Sequence, residues 1–181
     1  FVCAMWMTGF DAPACSTMGT PVPLVHDNYP IRAYTLHLAP FGKEAVVRSA
    51  IAIGQLALPL WTRSAKGNSI PGRAIDAARE WVLRPSAENQ RNADRCVEAA
   101  WGSADGVERP AYSVAWISGN VAQAAAADSA GTAAGAAFSA ADRAARDCGL
   151  EGCAEAIRRA LVPWARADFD PRAGPPGGRK V

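Results

Sequence analysis

A chain of 181 residues, half of them hydrophobic and a fifth charged, has material for one domain with an ordinary core and too little for two of typical size. Its formal charge of +2, from 19 basic residues scattered among 17 acids, argues against a broadly basic or acidic face and so against nucleic-acid or membrane partners. No basic stretch followed by an apolar one opens the sequence, and the apolar run 56–61 is far short of a bilayer span. A cytoplasmic protein is therefore expected.

The abundance of alanine, the best helix former, together with the scarcity of period-two runs, predicts an all-α fold. Residues 1–30, broken by Pro13, Pro21, Pro23 and Pro30, are expected to be irregular. A short helix is predicted over 31–39, stopped by Pro40. The stretch 43–63 is apolar on nearly all sides, through Val46, Val47, Ala50, Ile51, Ile53, Gly54, Leu58 and Trp61, and reads as the central helix. Pro59 is expected to kink or end it.

After a polar loop, Pro71 suits the first turn of a helix whose buried stripe is Ala74, Ile75, Ala78, Trp81 and Val82. Leu83–Arg84–Pro85 ends that helix. Ser86 can cap the next, which buries Ala93, Cys96, Val97, Ala100 and Trp101. Pro110 opens a further helix presenting Tyr112, Ala115, Trp116 and Val121, with Ser118–Gly119–Asn120 weakening its middle. Two alanine-rich stretches, 122–127 and 133–145, are separated by a break near 128–131. Gly131 and Gly135, four apart, predict a tight helix contact. The last helix is read over 155–167, with Ile157, Ala160, Leu161 and Trp164 on one face. The tail 169–181, rich in Pro and Gly, is expected to be disordered. The domain is thus 31–168, a compact bundle or small helical array of six or seven short helices.

Five cysteines at wide spacing (Cys3, Cys15, Cys96, Cys148, Cys153) are expected as reduced thiols, and neither their spacing nor the two histidines implies a metal or a cofactor. His26 beside Asp27 lacks the orientation of a catalytic pair. Asp142, Arg143, Arg146 and Asp147 read as a solvated, ion-paired helix face. The tryptophans at 61, 81, 101, 116 and 164, one per helix, read as core anchors. No complete catalytic constellation is present, and a non-enzymatic protein is expected.

Two stretches resemble known families. Phe1–Thr17, FVCAMWMTGFDAPACST, resembles a helicase segment of the motor subunit of type I restriction endonucleases. That resemblance implies a loop in contact with the DNA backbone, with Thr8, Gly9 and Asp11 as the contacting residues, because a Thr-Gly pair offers a hydroxyl and an open backbone donor to phosphate. It covers under a tenth of the chain. The phosphate loop and metal-binding acids of a motor have no counterpart here, so the segment is expected to be a remnant.

The body, through Ala57–Leu58–Pro59–Leu60–Trp61 and the run from Ile70 to Trp81, IPGRAIDAAREW, is similar to bacterial immunity proteins, which are small and all-helical. It departs from them in having no histidine after His37. This likeness implies a helical protein-interaction module that neutralises a partner toxin. The alternative is a fragment of the DNA-translocating restriction subunit.

Overall fold

A computed structural model describes residues 35–64 and 68–168. Segment 1–30 with Thr8, Gly9 and Asp11, the tail 169–181 and the side chain of Trp164 lie outside the described residues. The fold is all-α. A helical turn at 35–37 and a 3-10 turn, Ala39–Phe41, lead into α1 (Lys43–Ser64), α2 (Ile70–Leu83), α3 (Ala87–Gly102), α4 (Ala111–Ala126), α5 (Ala130–Cys148) and α6 (Leu150–Asp168), with no strand among the described residues. Pro40 does not stop a helix at residue 39. It sits in the first turn of the 3-10 segment, where its missing N–H costs nothing, and Gly42 at φ 95° makes the break.

Helix α1 touches α2, α4, α5 and α6, and α4 touches α1, α2, α3 and α5. In an array each unit meets only its neighbours, so this is a bundle. Among the described residues, α1 is the one helix long and apolar enough to cross a bilayer, and it is mostly buried among the other helices, as a core helix is. Pro59 does not end it; the helix runs on to Ser64. Both Pro59 and Gln55, whose carbonyl loses its helical donor, are exposed, so water can take that carbonyl. Trp61, 1% exposed, closes the far end, its indole N–H donating to the Asn68 carbonyl at 2.7 Å.

The second hub is α4, which is buried along most of its length and uninterrupted at Ser118–Gly119–Asn120. These residues do not weaken it. Ser118 Oγ donates to the Ala115 carbonyl at 2.9 Å and Asn120 Nδ2 to the Trp116 carbonyl at 2.8 Å, so both polar side chains are satisfied inside the helix. Serine caps set the starts of two neighbours, Ser86 accepting from the Asn89 N–H and Ser129 from the Thr132 N–H, each at 3.1 Å. Gln90 Nε2 reaches from the start of α3 to the Ala126 carbonyl and to Asp128 Oδ1, both at 2.8 Å, tying α3 to the end of α4.

Close helix approach is carried by glycines other than the expected pair. A Cβ on Gly54 would meet Ile75 and Val121 at 3.1 Å, and one on Gly119 would meet Trp101 Nε1 at 2.2 Å. Gly131 and Gly135 are exposed instead, and a Cβ on Gly135 would touch nothing within 4 Å. The reason lies in α5 itself: Ala133, Ala137, Ala140 and Ala144 already form a buried stripe of small side chains, which leaves the glycines on the opposite face. Gly135→Ala is therefore expected to raise stability by about 0.5–1 kcal/mol, by relieving the entropy cost of a helical glycine. Urea unfolding checks this, and a loss of stability would mean that something does pack on that face.

The last helix starts at Leu150, five residues before its expected start at 155, because Gly149 at φ 81° lets α6 begin immediately after α5. Ile157 and Leu161 are buried as expected, along with Cys153.

Candidate functional site

Four described side-chain atoms are buried with no hydrogen-bonding protein partner: Trp101 Nε1, Ser113 Oγ, Trp116 Nε1 and Asp147 Oδ2. All lie at one end of the bundle, formed by the last turns of α3, the first turns of α4 and the last turns of α5. Leaving such a group without any partner costs about 1–3 kcal/mol, so this corner is where a water or a ligand group has the most to gain by binding.

That corner is built around aromatic rings. Tyr112 and Trp116, one helical turn apart on α4, share a face, with ring centroids 6.2 Å apart. Trp101 from α3 stacks on Trp116, centroids 5.3 Å apart and planes at 28°. Trp101 can lie there only because Gly119, three residues beyond Trp116, offers bare backbone beneath the indole. From α5 the Arg143 guanidinium covers both outer rings, 5.6 Å from the Tyr112 centroid and 5.5 Å from that of Trp116. Tyr112 is 36% exposed and the other three are half-buried, so the group is open to solvent on one side.

This arrangement corrects two expectations. The tryptophans are not uniformly core anchors: Trp61 and Trp81 are, while Trp101 and Trp116 pair at a partly open surface. The charged face of α5 is not uniformly ion-paired either. Asp142 holds Arg146 at 2.6 Å, but Arg143 stacks on rings and Asp147 keeps one carboxylate oxygen buried. Aromatic pairing at i,i+4 on α4 was visible in the sequence; the arrival of Trp101 and Arg143 from two other helices was not.

Elsewhere the chemistry is quiet. An open groove of about 320 Å³ between α1 and α2 is lined by Leu58, Pro59, Thr62, Asp76 and Arg79, and Asp76 and Arg79 pair with each other. A second, of about 440 Å³ between α2 and α3, surrounds Cys96. Burial pushes the Cys96 thiol up, against the opposing pull of Arg73 and Arg95, which makes it a poor nucleophile. The Lys43 ammonium lies 3.9 Å from the Trp81 ring centroid, and burial lowers its pKa against the pull of Asp128. His37 is exposed, and no three His, Cys, Asp or Glu side chains gather as metal ligands among the described residues. Of the residues in the two stretches 57–61 and 70–81, Trp61, Ala74, Ile75, Ala78 and Trp81 are core residues of α1 and α2, while Pro59, Arg73 and Asp76 are exposed.

Burial pushes the Cys153 thiol up to about 12, with the nearby Cys148 adding to the shift. A raised folded pKa means that the unfolded chain gives up this proton first, so stability is expected to fall as pH rises from 9 toward about 12. Cys153→Ala should flatten that alkaline decline in thermal unfolding, and an equally steep decline would contradict the assignment. Comparison of this chain with protein-family models, curated proteins and solved structures finds no match.

Proposed function

We propose that this chain is a non-enzymatic helical protein-interaction module, binding its partner through the corner formed by Tyr112, Trp116 and Arg143. One observation carries the reading: a partly exposed cluster of Trp, Tyr and Arg, the residue types that dominate binding energy at protein interfaces. The rings come from two helices and the guanidinium from a third, each packed against another, so little conformational entropy is lost on binding. The immunity-type likeness of α1 and α2 supports a more specific role, neutralisation of a partner toxin in the cytoplasm.

Affinity capture compares the wild type with a Tyr112→Ala/Arg143→Met double variant, using the products of neighbouring reading frames as candidate partners. One such product retained by the wild type and released by the variant is the expected result. Equal retention by both proteins, or by neither, sinks the reading. The motif at 5–13 supports a second reading, a piece of a DNA-translocating restriction subunit. DNA-stimulated ATP hydrolysis above that of a Thr8→Ala control would favour it over the first.

A further inference from the structure

We infer that the Arg143 guanidinium is a receptor for a single carboxylate on an acidic peptide segment of the partner. This rests on the interaction reading above and gives the partner a chemistry.

A cation–π contact uses the charge of the guanidinium and takes none of its N–H groups into a conventional hydrogen bond, which leaves the fork of donors to an incoming group. In this chain Arg48, Arg84, Arg146 and Arg159 are each neutralised by an acid one turn earlier: Glu44, Glu80, Asp142 and Glu155. Arg143 has Ser139 at that position, and Ser139 Oγ donates to the Gly135 carbonyl at 3.2 Å. Asp147, one turn later on the same face, keeps one carboxylate oxygen buried without a protein partner and forms no ion pair with Arg143. No described carboxylate pairs with Arg143. Among the described residues, the other arginines without an acid partner lack this aromatic support.

The charge around the fork selects the ligand. Asp142 and Asp147 stand on the same helix within a turn of Arg143, so the concentrated double charge of a phosphate dianion is disfavoured there relative to one carboxylate carrying a single charge. One carboxylate matches the planar fork bidentately, and the open edge of Tyr112 offers apolar surface to its methylene stem.

Tryptophan emission of the full chain tests this, titrated separately with acetylated, amidated tetraglutamate, with the matched tetraglutamine, and with inorganic phosphate. A saturable change is expected with tetraglutamate, about tenfold weaker with tetraglutamine and about tenfold weaker in Arg143→Met, the loss of one charge-assisted pair. Arg143→Lys, which keeps the charge without the fork, should fall short of the wild type. Equal responses to the two peptides, an unchanged Arg143→Met, or tighter binding of phosphate would each overturn the assignment. Circular dichroism confirms that the variants fold, and the comparison of peptides on the wild type needs no variant. If a captured partner is still released by Tyr112→Ala while the peptides fail, the interaction reading stands and only the carboxylate is lost.

Discussion

Trp61→Ala is expected to destabilise the bundle by about 3–5 kcal/mol, the cost of emptying a fully buried large side chain. Trp61 is among the largest fully buried side chains described, packed in the main core cluster at the end of α1. Its loss also leaves the Asn68 carbonyl without its indole donor, which loosens the segment entering α2. Trp61→Phe should fall between the two, keeping a ring in the core but losing the hydrogen bond. Equilibrium denaturation separates these cases. A loss below about 1 kcal/mol for the alanine variant would mean that the end of α1 is not anchored as described.

Gly119→Ala is expected to cost about 1–3 kcal/mol, although alanine is the better helix former. The added methyl would stand 2.2 Å from Trp101 Nε1 and 2.3 Å from its Cδ1, separations that no real contact sustains. Trp101 cannot slide away freely because it is stacked on Trp116, so the ring pair has to part. Emission from the exposed indole should shift to the red, and partner capture should weaken with it. Trp101→Val in the same chain should recover most of the stability lost to Gly119→Ala, which a cycle of single and double variants reads as coupling. Additive effects would show that the glycine is not there to seat the indole.

The two glycine substitutions point in opposite directions at Gly119 and Gly135, and that contrast marks what the sequence could and could not reveal. Spacing along one helix was legible. The apolar stripe of α2, the serine cap of α3, the aromatic pair at 112 and 116, and the all-α class all follow from periodicity and local chemistry. Contact between helices was not legible. Gly131 and Gly135 have the spacing of a packing motif, yet alanines one face away made the contact, and only the tertiary arrangement decides which small residues meet a neighbour.

Pro59 and Ser118–Gly119–Asn120 read as breaks because local propensity is against helix at both places. Packing of α1 and α4 on four helices each outweighs it. The same local logic assigns Arg143 to a solvated charged face. Its partners are rings supplied by α4, about thirty residues earlier in the chain, which no i,i+4 rule could find. The segment with the more specific motif, residues 1–17 with Thr8, Gly9 and Asp11, lies outside the described residues.

Partner binding is proposed at the α3–α4–α5 corner. Hydrogen–deuterium exchange of the full chain, alone and with the partner recovered by capture, tests it most directly. Slowed exchange is expected to concentrate in the first turns of α4, around Tyr112 and Trp116, and in the last turns of α5, around Arg143 and Asp147. Protection confined to the α1–α2 groove around Leu58 and Arg79, with that corner unchanged, would contradict it.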